Sequence, residues 1–321
     1  MNIPIQSSLE RQRVDFFVDA KKLTYNDIRV AENNIDYWTF VDVSAHQGQE
    51  FKFVFSKNVS GINKIFQADT IVGEANLYKE NYRPQVHYTT RRGWTNDPNG
   101  MVYYDDEYHL FYQHNPYETG WGNMTWNHAV SNDLLHWEEL TLALLPDKFG
   151  TMFSGSAVID YHNTAGFNKG DSPAMLVMYT ADLRKNGEEL GQQQCIAYSL
   201  DKGRTFIKYE GNPVIPMLNR FDSKHARDPK VFWYEPGSHW VMIMHEGISM
   251  TIYNSKDFKE WELTCTLDDG YWECPELFEL AINGDKANKK WVVYGVRGTY
   301  QIGTFDGNEL KNNTQWRQTS C

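Results

Sequence analysis

Three acidic residues stand in contexts that a plain turn does not require. Asp97 lies in "WTNDPNG", Asp228 in "RDPKV" and Glu273 in "WECPEL", each at the start of a strand-like run and each close to a proline. One Asp-Pro pair alone reads as an ordinary turn starter, because the residue before proline is pushed toward extended geometry and Asp can hold an Asx turn. Acids brought together beside Trp94, Trp121, Phe153 and Trp272 would be another matter, since like charges and desolvation both raise a carboxyl pKa. One acid is then expected to keep its proton near neutral pH while another stays ionised. That pairing suits glycoside hydrolysis, in which one carboxyl protonates the leaving oxygen and the other attacks the anomeric carbon.

Whether these acids can meet depends on the elements that carry them. The sequence repeats a short apolar strand: "YHLFYQH", "AMLVMYTA", "HWVMIMHE" and "KWVVYGVR". In three of the four cases a second unit follows: "AVSNDLLHWEEL", "AYSLDKGRTFIKY" and "IYNSKDFKEWEL". There a strand ends in Ser or Asn, a polar turn with Asp follows, and Trp137, Phe206 or Trp261 opens the next strand. A third unit comes first: "NGMVYYDD", "SGSAVIDY", "DPKVFWYE" and "CPELFELA". About four strands per repeat is the size of a propeller blade, and the blades are expected to start near residues 94, 151, 225 and 271. The first strand of a blade lines the central channel, so Asp97, Asp228 and Glu273 are expected at one mouth of it.

Upstream, "VDFFVDA", "YWTFVDVSA" and "EFKFVFS" alternate in the manner of a small β-sandwich, and residues 73–85 lose the alternation and read as a linker. The expected division is a sandwich-like domain with its linker over residues 1–82 and a propeller over residues 83–321. No acid cluster of comparable context falls in the first 80 residues, which are expected to contribute no catalytic group.

Composition narrows the ligand. The chain of 321 residues carries a formal charge of −11, which argues against nucleic acid or an anionic membrane as partner. Aromatic residues make up 15%, enough to line a polar cleft for a neutral substrate. Cys195, Cys265, Cys274 and Cys321 show neither CxxC pairing nor zinc-finger spacing, so no metal site is expected, and three of them read as buried free thiols. No signal-peptide-like apolar segment opens the chain, and no run reaches the roughly 18 apolar residues of a membrane span. Its location is left open.

The motifs "WTNDPNG", "FYQHNP", "WGNMTWNHA", "FSGSA", "RDPKV" and "WECPEL", in this order, closely resemble those of glycoside hydrolase family 32, which holds invertases, inulinases, levanases and other β-fructofuranosidases. The resemblance covers residues 85 to about 310, and "YWTFVDVSA" with "EANLYKENYRPQ" looks like the N-terminal β-domain of some bacterial fructan-degrading members. It implies an all-β fold built on a five-bladed propeller, and a retaining hydrolase that releases fructose from β-fructans or sucrose without a cofactor. By this resemblance Asp97 would be the nucleophile, Glu273 the acid and then the base, and Asp228 the stabiliser of the transition state. Asn96, Gln113, Trp121, Phe153, Ser154 and Arg227 would bind the terminal fructose, and Cys274 matches the cysteine after the acid. Relatives that degrade polymeric fructan are often exported.

Two departures accompany the resemblance. Thr95 stands where Met, Leu or Asn is more usual, and only four blades are expected, with the fifth blade and the C-terminal β-sandwich missing. A catalytically impaired protein that only binds fructan is therefore the competing expectation. Pentosan-cleaving propeller glycosidases are a third, against which the "NDPNG" and "WECPEL" contexts argue. Sequence does not choose between β-2,6 and β-2,1 linkages.

Overall fold

The computed structural model describes residues 1–168, 170, 172–185, 187–217, 224–267, 273–312 and 317–318. Five strands open the chain: β1 (Asn2–Ile5), β2 (Gln12–Val18), β3 (Lys21–Ile28), β4 (Tyr37–Phe40) and β5 (Phe51–Phe55). β1 pairs with β4, and β2 lies between β3 and β5 in a second small sheet. Val14, Phe16 and Ile28 from one sheet and Ile3 and Ile5 from the other share one buried cluster, which also takes in Tyr117. The strands β2, β4 and β5 fall on the three alternating segments of the sequence. β1 and β3 were not among them, because "NIPI" is too short to alternate and "KKLTYNDI" turns the polar Thr24 and Asn26 inward while Leu23 is exposed.

Four antiparallel sheets follow, each a run of consecutive strands. The first holds β6 (Trp94–Tyr104), β7 (Glu107–Asn115), β8 (Thr125–Ser131) and β9 (Glu138–Glu139), and the second β10 (Thr151–Asp160), β11 (Ala174–Lys185), β12 (Glu188–Ser199) and β13 (Ile207–Lys208). The third is β14 (Ala226–Tyr234), β15 (His239–Glu246), β16 (Ser249–Ser255) and β17 (Glu262–Leu267). The fourth runs β18 (Glu276–Ile282), β19 (Asp285–Tyr294), β20 (Thr299–Phe305) and β21 (Leu310–Asn312), with β22 (Arg317–Gln318) also on β20. The all-β fold with four-stranded meanders is the expected one: two of the repeated units fall on the first and second strands of each meander, and the turn-bearing unit joins the third strand to the fourth in the first three.

By contacts the chain divides into two compact units, residues 1–98 with 106–152 and residues 99–105 with 153–321. In the second unit the apolar runs explain themselves. β15 is buried along its whole length, and its alternate residues serve two cores. Trp240, Met242 and Met244 join Leu176, Met178 and Ile196 of the preceding sheet. Val241 and Ile243 join Leu277, Val293 and Phe305 of the following one. A strand covered on both faces is apolar through its middle, so the two-residue period disappears there.

The recurring Ser-x-Asp turn is equally physical. Ser131 donates to Asp133 at 3.1 Å, Ser199 to Asp201 at 2.7 Å and Ser255 to Asp257 at 3.2 Å. Each carboxylate then accepts backbone N–H groups from the turn that follows, among them those of His136, Thr205 and Glu260. Trp137 and Trp261 close their turns by donating to the carbonyls of Leu134 and Phe258 at 3.1 and 3.0 Å. These side chains supply the bonds that a tight turn leaves unmade.

Cys195 is buried as expected, whereas Cys265 and Cys274 are only half-buried. Cys321 and Trp272 lie outside the described residues. Among the described residues no helix is long and apolar enough to cross a membrane.

Gly155 of "FSGSA" shows how closely β10 and β11 approach. A Cβ there would lie 1.9 Å from the carbonyl oxygen of Met178 and 2.9 Å from the Cα of Tyr179, both backbone atoms that cannot swing aside. Gly155→Ala is therefore expected to destabilise the protein by roughly 2–4 kcal/mol, measured as a fall in denaturant midpoint. An unchanged midpoint would show that the two strands can separate at little cost.

Candidate active site

In the first unit, residues 88–97 are held by two opposite charges. Glu139 on β9 is almost fully buried and accepts from the Tyr88 hydroxyl, the Thr90 hydroxyl and the Arg91 backbone at 3.0, 2.9 and 2.7 Å, while the Arg91 side chain pairs with its other oxygen at 3.1 Å. Arg92 donates to the carbonyls of Trp38, at 2.7 Å, and Val72. Gly93 follows at φ +92°, where a Cβ would collide with the Asn115 carbonyl oxygen at 2.3 Å. The chain thus enters β6 in a fixed direction.

β6 then presents Trp94, Thr95, Asn96 and Asp97 in succession. Trp94 Nε1 donates to Asn96 Oδ1 at 3.1 Å, and the Trp94 carbonyl accepts from Nδ1 of His114 at 2.8 Å. Burial pushes His114 down to about 4, so it is the neutral imidazole that makes this bond. Gln113, its neighbour on β7, is buried, and Trp121 projects half-exposed from the connection between β7 and β8.

In the second unit, Phe153 and Ser154 lie on β10, Ser154 buried and Phe153 partly so. This unit brings four predicted residues together. The Arg227 guanidinium contacts Glu273 Oε1 and stands 3.9 Å from Asp228 Oδ2. Asp228 Oδ2 accepts the backbone N–H of Cys274 at 3.0 Å, with the Cys274 thiol 3.6 Å away. Thr180 on β11 accepts the Asp228 N–H through its hydroxyl at 3.2 Å. Asp228 is 7% exposed, whereas half of the Glu273 side chain is open to solvent. A buried, oriented carboxylate thus stands beside an accessible one.

Backbone geometry at these acids departs from the turn argument. Asp228 precedes proline yet sits at φ +60° in place of an extended conformation, where β14 slips register against β15 between Arg227 and Lys230. Cys274, beside Glu273, is at φ +53°. Left-handed non-glycine residues are costly and gather where function has fixed a side chain.

Sequence reasoning missed the residues behind Arg227. Gln192 Oε1 accepts from the Ala226 backbone at 3.1 Å and lies 3.5 Å from Arg227 Nη1, while its amide donates to Asp182 at 3.1 Å. Asp182 in turn takes Arg184 at 2.6 Å. His225 meets Arg227 Nη1 at 3.1 Å and Glu189 at 3.3 Å. The available signal was polarity inside an apolar run: "YTADLR" and "GQQQC" continue strands with groups that a core strand has no reason to bury.

His245 lies opposite Arg227 in the pairing of β14 and β15 and is 3% exposed. Burial, and then the charge of Arg227, push it down to about 4. His114 and His245 both bind protons more tightly in the unfolded chain, near 6.5, than in the folded one. The stability they allow is therefore complete above pH 6.5 and falls as the pH drops toward 4, by on the order of 3 kcal/mol for each. Thermal unfolding followed from pH 7 to 4.5 is expected to show this decline, and His245→Gln to flatten part of it. A variant with the wild-type slope would remove His245 from the account.

The chain matches the model of the glycosyl hydrolases family 32 N-terminal domain over residues 87–320. It is 49% identical over 263 residues to the levanase of Bacillus subtilis (strain 168), a match covering 77% of this chain and 37% of that protein. Among solved structures, the exo-inulinase from Aspergillus awamori aligns with a TM-score of 0.65 at 36% identity, covering 74% of this chain and 52% of that one. The β-fructofuranosidase from Schwanniomyces occidentalis complexed with fructosyl-erythritol aligns with a TM-score of 0.65 at 37% identity, over 73% and 49%. The chain thus spans about half the length of these solved relatives and less of the levanase.

Proposed function

Because the chain belongs to glycosyl hydrolase family 32, we propose that it is a retaining β-fructosidase that releases fructose from β-fructans or sucrose. The observation that carries this reading is the cluster of Arg227, Asp228, Glu273 and Cys274, in which a buried, backbone-anchored carboxylate and an accessible one share a single guanidinium. The names of the relatives, a levanase and an exo-inulinase among them, support fructan as the substrate class.

In this reading the Asp97 carboxylate attacks the anomeric C2 of the terminal fructose as the C2–O bond to the leaving group breaks, and Glu273 gives its proton to that oxygen. A fructosyl ester on Asp97 results. Glu273, now the base, takes a proton from water, the water oxygen attacks C2, and the ester bond breaks to return the Asp97 carboxylate and free fructose. Asp228 accepts hydrogen bonds from sugar hydroxyls, bonds that strengthen as positive charge develops at C2. Asn96, Gln113, Trp121, Phe153, Ser154 and Arg227 complete the fructose pocket, and Cys274 keeps Asp228 aimed through its backbone N–H. No catalytic group is assigned to residues 1–82. Asp42 there is engaged locally, accepting the Ser44 N–H at 2.9 Å.

Fructose release from levan, inulin and sucrose, measured side by side, tests activity and linkage preference together. Binding of fructan without release would favour a non-catalytic role. Asp97→Asn is expected to lower turnover by at least about 10³-fold while leaving the fold intact, since an amide cannot form the ester. Near-normal turnover in that variant would sink the nucleophile assignment. Glu273→Gln is expected to cost about 10²–10⁴-fold on natural fructans and far less on a fructoside whose leaving group needs no proton. Equal losses on the two substrates would count against Glu273 as the acid.

A further inference from the structure

The connection between β7 and β8, residues 116–124, carries Trp121, and it is fastened to the first forty residues by an unusual set of bonds. Glu118 within it is 1% exposed, and its Oε2 receives Arg11 Nε at 2.7 Å, Arg11 Nη2 at 2.5 Å and Arg29 Nη1 at 3.0 Å. The same Arg11 Nη2 donates to the backbone carbonyl of Trp121 at 3.0 Å. Gly122 comes next at φ +146°, and a Cβ on it would meet Arg11 Nη1 at 2.6 Å, so the glycine makes room for the guanidinium. Asn123 exchanges two bonds with the backbone of Asp27 at 2.7 and 2.9 Å, and Thr39 donates to the Pro116 carbonyl at 2.6 Å.

Burying a carboxylate is costly unless it is paired and its hydrogen bonds are made. Here one oxygen meets three guanidinium nitrogens, and one of the two arginines goes on to hold the main chain at Trp121. Tyr117, next to Glu118, also packs against Phe16, with ring centroids 6.1 Å apart. We propose that Arg11, held by Glu118, is a positioning residue for Trp121: the N-terminal strands fix this ring and thereby set how tightly the fructose pocket closes. They contribute no group to the chemical step. The proposal rests on the assignment of Trp121 to sugar binding in the functional reading above.

Arg11 is one-third exposed, so its replacement opens no large cavity. Arg11→Met is expected to raise KM for sucrose or a short fructan by about tenfold with kcat within about twofold, and Arg11→Lys to recover part of the loss. Arg13→Met serves as the control, because the Arg13 side chain pairs with the exposed Asp27 carboxylate of the neighbouring strand β3; it should behave as wild type. A second measurement is independent of turnover. Acrylamide quenching, with the Trp121 signal isolated by comparison with Trp121→Phe in each background, is expected to rise in Arg11→Met and not in Arg13→Met. Unchanged KM and unchanged quenching in Arg11→Met, or equal changes in the two variants, would overturn the proposal. If the wild-type protein releases no fructose, the functional reading fails, and the quenching comparison alone still decides whether Arg11 positions the ring.

Discussion

Burial of a sheet on both faces is the constraint from which most of the second unit follows. A strand such as β15 must supply two cores at once, with Trp240, Met242 and Met244 on one side and Val241 and Ile243 on the other. It can afford polarity only near its ends, where His239 and the pair His245 and Glu246 stand. The residues proposed for the chemistry fall in the same places. Arg227 and Asp228 open β14, and Glu273 and Cys274 precede β18, so these proposed groups sit where the apolar demand lapses. Sheets stacked face to face leave few other positions at which a charged group could be both fixed and reachable.

That constraint also explains what was legible in the sequence. The doubly covered strands read as unbroken apolar runs, and the Ser-x-Asp turns between them use side chains to complete backbone bonds, so both recur visibly. The four meanders could be placed from these signals alone. β1 and β3 could not, since neither carries an apolar run and their burial depends on partners distant in sequence. The expected division at residue 82 rested on the loss of strand alternation in the polar stretch at residues 73–85. The structure adds that the first 40 residues share buried ion pairs and carbonyl contacts with the first meander, a relation that no local pattern records.

At the candidate site, motif context singled out residues that the fold brings together, and it did not single out their supports. Motif context singled out Asp228 and Glu273, but a preference for extended geometry before proline gave no hint that Asp228 adopts φ +60°. That conformation depends on contacts from three separate segments: the Thr180 hydroxyl, the Cys274 N–H and the register shift against β15. Arg227 was read as a sugar ligand, and its contact with Glu273 came from folding two segments 46 residues apart into one place. Local propensity cannot report such placements, because each is a long-range contact overriding a short-range preference.

Three buried carboxylates are met by arginine, whereas Asp160 and Glu246 accept from backbone N–H and hydroxyl groups. The chain has 42 acidic residues against 31 lysines and arginines, yet it buries carboxylates at Glu118, Glu139 and Asp182. Each meets an arginine, and in each case that arginine lies near a predicted functional element: Arg11 at Trp121, Arg91 at the entry to β6, Arg184 behind Gln192 and Arg227. A planar guanidinium can hold a carboxylate and a carbonyl at once, which an ammonium does less well. The buried acids thus act as fixed points that orient arginines, and the arginines orient the backbone that carries Trp121 and Asp97. Buried ion pairs add little net stability when compared with well-packed apolar groups. Their concentration behind these segments is therefore better explained by the directional precision they impose than by the free energy they contribute.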